Sequence, residues 1–175
     1  MKKLFRFVLV ATLGIPGVPS ATAQVTKVGT FDRQSIVMAF YASPLWSAVL
    51  KEKLAERDAA KASGDQKRVK ELDRWGQEQQ KLALRQLAGN APIENILELM
   101  KPMLAAVAAQ AQVTTVVPEK PGVNRNMAAV DVTGLLLDQL QASDRTRKSV
   151  EQLQDFKKAS PMKYRLCMFL FRFAG

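Results

Sequence analysis

The chain has 175 residues, of which 26 are Lys or Arg and 16 are Asp or Glu, and its formal net charge is +10. It contains a single Cys, Cys167, and no His. Catalysis by Ser-His or Cys-His pairs and metal sites built on His are therefore excluded, as is an intramolecular disulfide.

The first 23 residues have the three parts of a secretory signal peptide. A basic start precedes an apolar run over 7–15, and a small-x-small site ends at Ala23. The apolar run is shorter than the roughly 20 residues that span a bilayer as a helix. We therefore expect cleavage between Ala23 and Gln24 and export of a soluble chain. No Cys follows the cleavage site directly, which argues against a lipid anchor.

The predicted mature chain stays strongly basic. The leader holds three of the 26 basic residues and no acidic one, which leaves 23 Lys and Arg against 16 Asp and Glu. Nucleic acid is a poor partner for an exported protein. It would be a plausible partner only if the chain kept its leader and stayed in the cytoplasm. Acidic polypeptides or an anionic membrane surface suit this charge and compartment better.

A short strand followed by a helix opens the mature chain. The β-forming residues over 25–32 predict the strand. Asp32 stands where it would cap a helix that ends near Tyr41. Ser43 and Pro44 then supply the N-cap and the first residue of a second helix.

Two charged helices with few apolar positions are predicted over 44–62 and 66–88. The Ser-Gly-Asp sequence between them indicates a turn, because Gly64 suits a helix C-cap and Asp65 a new N-cap. Helices so poor in apolar residues predict a hairpin or coiled coil with a narrow seam. Two alternatives remain open: a hairpin tip at 89–92, or one continuous helix, since a glycine in its interior costs only about 1 kcal/mol.

The two tryptophans have two possible roles in such a hairpin, packing in the seam or binding a client. If the helices are antiparallel, Trp46 and Trp75 fall at comparable heights. We expect them to pack in the seam, which is the more common role of aromatic side chains between helices.

The next predicted elements are a helical stretch, two strands and a closing helix. A third helical stretch over 93–112 is stepped at Pro102, and strands are predicted over 113–117 and 127–132, with a helix over 133–143. A two-stranded hairpin alone is marginal in stability. We therefore expect all three strands to form one small antiparallel sheet covered by the last helix.

These elements predict a mostly helical α+β fold with a base and a projecting arm. Residues 24–43 and 112–143 make the base, 44–111 make the arm, and 144–175 form a polar and then apolar C-terminal tail. A base this small favours self-association. The residues expected to pack in the base or between subunits are Val28, Phe31, Val116, Val130, Val132, Leu135, Leu136 and Leu140.

Three segments resemble the OmpH/Skp family of exported periplasmic chaperones. They are KVGTFDRQSIV after the leader, IENILELMKPMLAAVAAQAQVTTVVPE on the return to the base, and the closing VDVTGLLLDQL. The likeness covers roughly 27–56 and 93–140 and is a pattern of positions rather than a rigid motif. The charged helical region is shorter than in typical members, and the chain after about Ser143 has no counterpart in the family.

The resemblance implies a trimer whose helical arms surround unfolded outer-membrane proteins and keep them from aggregating. This activity needs neither ATP nor another cofactor. The residues themselves make the arms net basic, which suits many weak contacts with acidic, unfolded clients. The candidate client-binding residues are Lys51, Lys53, Arg57, Lys61, Lys67, Arg68, Lys70 and Arg74.

Two other classes of function compete with this interpretation. A structural or adaptor protein would use the same basic helices to bind an anionic envelope polymer or lipid surface. An enzyme is disfavoured, because Asp32, Asp131 and Asp138 are scattered along the chain and no nucleophile–base pair or metal-ligand spacing accompanies them.

Overall fold

The computed structural model describes residues 27–119 and 128–161. The predicted leader with its cleavage site at Ala23 and Gln24 lies outside the described residues. So do most of the loop that follows Pro118 and the apolar end of the chain that contains Cys167.

The described chain is mostly helical, with three short strands, so the α+β prediction is confirmed. The elements in chain order are β1 (Lys27–Phe31), α1 (Arg33–Tyr41), α2 (Pro44–Ala62), α3 (Gln66–Leu87), α4 (Glu94–Leu99), α5 (Lys101–Gln110), β2 (Thr115–Pro118), β3 (Ala128–Asp131), α6 (Thr133–Gln139) and α7 (Asp144–Ala159).

The three strands form one sheet, as predicted, but the predicted antiparallel arrangement is wrong. The strand order is β2-β1-β3, and both outer strands run parallel to β1. Val28 is paired with Thr115 on one side and with Ala129 on the other. The strands β2 and β3, close in sequence, therefore lie at opposite edges and do not form a hairpin.

The path of the helices allows the parallel direction. The chain leaves β1 at Phe31 and returns, after α1 to α5, beside the start of the same strand, where the Thr114 N–H donates to the Lys27 carbonyl at 3.0 Å. At the far end the Glu119 N–H donates to the Phe31 carbonyl at 2.9 Å. A helical excursion of this length can bring a strand back in either direction, whereas a tight hairpin imposes the antiparallel one.

Local signals in the sequence set the helix starts where they were predicted. The side chain of Asp32 accepts from the Ser35 N–H at 2.8 Å, and Ser43 caps α2, with Pro44 in the first turn. The 93–112 stretch is divided at Met100 into α4 and α5, and Pro102 occupies the first turn of α5. A proline is tolerated there because the first turn of a helix needs no N–H donor.

The hydrophobic core lies between one face of the sheet and helices α1, α4, α5 and α6. Its largest fully buried side chains include Phe31, Phe40, Ile96, Met100 and Leu136. Gly29 lies in the central strand on the core side, where a β-carbon would be 3.1 Å from the side chains of both Val113 and Val116. The side chains that flank the middle of β1 are therefore tightly packed around Gly29.

The base extends beyond Ser143, where the sequence places the beginning of a tail. Residues Asp144–Ala159 form α7, which packs along α1. Val150 is 3% exposed and belongs to the core, and the Lys157 ammonium lies 2.5 Å from the Asp32 carboxylate. Apolar residues are sparse in this helix, which is why its pattern predicts only a polar tail.

A candidate binding surface on the helical hairpin

Helices α2 and α3 form an antiparallel hairpin whose turn is at Ser63, Gly64 and Asp65, the position favoured from the sequence. Gly64 adopts a left-handed conformation (φ 76°), and the Asp65 N–H donates to the Ala60 carbonyl at 2.9 Å. Asp65 then caps α3 by accepting from the Arg68 N–H at 2.9 Å. A C-cap and an N-cap thus follow each other directly, which fixes a sharp reversal.

The open end of the hairpin is held to the base by a buried amide. Gln86 is fully buried in α3 and accepts from the Tyr41 hydroxyl at 2.7 Å. Its amide nitrogen donates to the Pro92 carbonyl and to the Asn95 side chain, both at 2.6 Å. Burial raises the pKa of Tyr41 above its usual value. Because every polar group of Gln86 has a partner, this buried amide ties α3 to α1 and to the segment before α4.

A chain of aromatic rings leads from the core into the hairpin. The Phe40 and Trp46 rings have centroids 5.8 Å apart, and Trp46 stacks on Trp75 of α3 at 6.2 Å with an interplanar angle of 27°. Trp46 also meets Tyr41 edge to face at 5.2 Å. The prediction that the two tryptophans pack together in the seam is confirmed.

Three of the eight candidate client-binding residues are engaged in ion pairs within the hairpin. Arg57 pairs with Asp73 across the two helices at 2.6 Å, and Lys53 pairs with Glu56 at 2.9 Å. Arg68 reaches across to Glu56 and also pairs with Glu71 of its own helix at 3.0 Å. These pairs are at the surface, so each contributes little to stability.

The ion pairs shift the pKa values of their members in the expected directions. Hydrogen bonds from Arg68 and Lys53 hold the pKa of the Glu56 carboxyl below its usual value. Hydrogen bonds to Glu56 and Glu71 raise the pKa of Arg68. Both groups therefore keep their charge throughout the physiological pH range.

The other five candidates remain available for a partner. All are exposed, and no carboxylate of residues 27–119 or 128–161 lies within ion-pair distance of them. Ten basic and seven acidic residues lie over 44–87, so the hairpin is net positive. The available residues are Lys51, Lys61, Lys67, Lys70 and Arg74.

A groove of about 380 Å³ runs between the two helices in the middle of the hairpin. We call it the hairpin groove and define it by Leu50 and Leu54 of α2 and by Leu72, Trp75 and Gly76 of α3. The Leu50 and Leu54 side chains are 39% and 48% exposed, respectively, although they are large and apolar. The hairpin therefore presents apolar side chains to solvent beside its charged ones.

The groove was not anticipated from the sequence. The sequence pattern predicts only a narrow seam between the two helices and gives Gly76 no particular role. The sequence signal for the groove is Gly76, a glycine in the interior of a helical pattern that continues on both sides of it. It follows Trp75, and the facing helix carries Leu50 and Leu54 four residues apart.

The eight residues predicted to pack in the base all lie there. Most are buried, and the half-buried Val116, Val130 and Leu135 pack against the core cluster. Val28, by contrast, is buried outside that cluster. The fully or almost fully buried ones are Val28, Phe31, Val132, Leu136 and Leu140.

The scattered aspartates hold structure together locally. Asp32 caps α1 and pairs with Lys157, Asp131 accepts from the Thr133 N–H at 2.8 Å, and Asp138 pairs with Arg147 at 2.7 Å. Within the described part of the chain, His, Cys, Asp and Glu do not gather in groups of three that would hold a metal ion. None of the helices in that part has the length and apolar character needed to cross a membrane.

No family model matches the chain, and no curated protein and no solved structure shows significant similarity.

Proposed function

We propose that the chain is an ATP-independent holdase chaperone of the periplasm that binds unfolded outer-membrane proteins and prevents their aggregation. One observation carries this proposal: a single helical hairpin exposes large apolar side chains together with basic side chains that have no ion-pair partner among residues 27–119 and 128–161. The resemblance of three segments to the OmpH/Skp family points to the same activity.

The two kinds of exposed side chain suit an unfolded client. Leu50 and Leu54 provide apolar contacts of the kind that unfolded chains also make with one another when they aggregate. The unpaired Lys61, Lys67 and Lys70 near the turn would attract acidic stretches of a client over a distance of about one Debye length. Many weak contacts of this kind would hold a client without fixing one structure in it.

We further propose that the chain acts as a homo-oligomer, a trimer by family resemblance. Over the described residues the sheet has three short strands, with β2 and β3 at its edges. Assembly of several copies through their bases would enlarge a small core and place several hairpins around one client.

The test is a light-scattering measurement on the purified mature chain, residues 24–175. An outer-membrane barrel protein is diluted from urea at low salt without ATP, with lysozyme as a basic control protein. We expect suppression of scattering by this chain and not by lysozyme. Undiminished scattering at a several-fold excess of the chain would refute the holdase proposal.

A matched pair of charge variants tests the role of the unpaired lysines. The triple change Lys61→Gln, Lys67→Gln and Lys70→Gln should weaken suppression several-fold at low salt and hardly at all at high salt. The control replaces three exposed basic residues of α7, Arg145, Lys148 and Lys158, with Gln. Equal loss in both variants would mean that net charge, rather than the hairpin, attracts the client.

The unpaired basic residues also support a second candidate, an adaptor that binds an anionic envelope polymer or lipid surface. Lys51, Lys61, Lys67, Lys70 and Arg74 would make such a surface contact without any need for the leucines. Co-sedimentation with vesicles containing anionic lipid, together with no effect on the denatured barrel protein, would favour this function over the holdase.

A further inference from the structure

We propose that the hairpin groove binds one uncharged apolar side chain, aromatic or branched aliphatic, of an extended polypeptide segment. The inference rests on the proposed function in taking an unfolded client as the source of that segment. It adds a defined subsite to a surface that would otherwise hold clients by diffuse contacts.

Gly76 is the first observation that points to this subsite. It lies in the interior of α3, where glycine costs about 1 kcal/mol relative to alanine. The packing of the described residues does not require glycine at position 76, because a β-carbon built on Gly76 would have no atom of a neighbouring residue within 4 Å. Gly76 lines the groove, so a side chain longer than a methyl group at this position would occupy part of the space between the two helices.

The walls of the groove are the second observation. Leu50, Leu54 and Trp75 line it, and the two leucines remain largely exposed. Trp75 is held in place from behind by its stacking on Trp46. An aromatic wall opposite aliphatic side chains is typical of pockets that take apolar side chains. The volume of about 380 Å³ falls within the range of roughly 300–1,000 Å³ that small ligand sites occupy.

The charges at the rim indicate that the bound side chain is neutral. Lys53 and Arg57 line the groove, but they are paired with Glu56 and Asp73, respectively. A charged side chain entering here would have to displace one of these partners, whereas an apolar one leaves both pairs intact. Clients therefore meet two separate features: unpaired lysines near the turn for acidic residues, and the groove for apolar ones.

The groove continues along the hairpin in a way that suits an extended segment. The amides of Gln77 and Gln80 line the same side of α3 and can pair with the backbone of a bound chain. Leu84 lies one turn beyond Gln80 on that face and is 59% exposed. An extended segment entering the groove would thus have a second apolar contact near the base.

Two substitutions at Gly76 test the proposal without removing any existing contact. Gly76→Leu fills the groove with the side chain of a good helix former, and Gly76→Ala is the matched control that leaves most of the space. The probe is a dye-labelled polar peptide of 12 residues with two Phe, compared with the same peptide carrying Ala, and binding is followed by fluorescence anisotropy. Urea denaturation checks that both variants are folded.

We expect the wild-type chain and Gly76→Ala to bind the Phe peptide within about twofold of each other, and Gly76→Leu to bind it at least tenfold more weakly. At least a tenfold preference for the Phe peptide over the Ala peptide is also expected. Unchanged binding in Gly76→Leu, or equal binding of the two peptides, would overturn the inference.

The light-scattering assay separates this inference from the proposed function. If the wild-type chain and Gly76→Leu suppress aggregation equally, the groove is not the subsite, although the holdase proposal stands. If the wild-type chain fails to suppress aggregation but binds the Phe peptide and Gly76→Leu does not, the groove is a peptide site in a protein that is not a holdase.

Discussion

The indole rings of Trp46 and Trp75 stack across the hairpin with their centroids 6.2 Å apart. Trp46 also contacts the rings of Phe40 and Tyr41, so one side chain joins the core, the start of α2 and the middle of α3. The orientation of the hairpin relative to the base therefore depends strongly on this residue.

Trp46→Ala should lower the free energy of unfolding by about 2 kcal/mol, which is below the value for a fully buried Trp because Trp46 is half-buried. Urea denaturation followed by circular dichroism measures this change. Leu84→Ala is the control, since Leu84 is 59% exposed and its loss should change stability by less than about 0.5 kcal/mol. Equal effects of the two substitutions would contradict the role given to the stack.

Asp32 gives stability a dependence on pH at the joint between α1 and α7. Burial raises the pKa of the Asp32 carboxyl, but hydrogen bonds from Lys157 and Ser35 lower it by more, so the pKa lies below its usual value. A carboxyl with a depressed pKa stabilises the fold above the pKa of the unfolded chain. That stabilisation is lost as the pH falls through the folded pKa.

Asp32→Asn should therefore destabilise the protein by about 1 to 2 kcal/mol at pH 7 and by progressively less below about pH 4. Asparagine still caps a helix, so the change isolates the charge. Urea denaturation at pH 7 and pH 3 tests this, with the exposed Asp58→Asn as control. A wild-type–mutant difference that is constant across these pH values would rule out the ionised carboxylate as its source.

The helix ends were predictable from the sequence because a cap depends on neighbouring residues only. Asp32, Ser43 and Asp65 cap the helices to which they were assigned. Gly64 likewise marks the hairpin turn, because few other residues adopt its left-handed conformation at low cost. Each of these signals operates within four or five residues.

The direction of the strands could not be predicted from local signals of this kind. β-forming residues such as Val116, Val117 and Val130 indicate strands, but such residues are equally compatible with parallel and antiparallel partners. The short separation of β2 and β3 favoured a hairpin, whereas β1 lies between them in the sheet. Tertiary position, which the local pattern does not contain, decides the pairing.

The candidate site was predictable only in part for the same reason. The sequence indicates a basic hairpin, but it does not show that Arg57 is paired with Asp73 or Arg68 with Glu56. These pairs join different helices, so they depend on how α2 and α3 face each other. The groove at Gly76 likewise exists only once the two helices are side by side.

Gln141 occupies a backbone conformation that favours glycine. Its φ is 52°, and its N–H donates to the Asp138 carbonyl while the next N–H, of Ala142, donates to the Leu137 carbonyl. This is the geometry of a Schellman cap with glutamine where glycine is usual. The left-handed conformation costs a non-glycine residue about 1–2 kcal/mol. Glycine avoids this cost, but its greater loss of conformational entropy on folding costs about 0.5–1 kcal/mol.

Gln141→Gly should therefore stabilise the protein by about 0.5 to 1 kcal/mol, seen as a higher urea midpoint with an unchanged slope. Gly64→Ala, the reverse change at an equivalent cap, should destabilise it by a similar amount. A lower midpoint for Gln141→Gly would show that its side chain makes a stabilising contact that outweighs the backbone cost.

Gly29 and Gly76 predict opposite effects of the same substitution. A β-carbon at Gly29 would be 3.1 Å from the Val113 and Val116 side chains and 3.3 Å from Val132, inside the packed core, whereas at Gly76 it would meet open space. Gly29→Ala should cost about 1–3 kcal/mol through overpacking. Gly76→Ala should gain up to about 1 kcal/mol through helix propensity. Urea denaturation of both variants measures the two effects, and a loss of stability in Gly76→Ala would mean that the groove is filled within the protein itself.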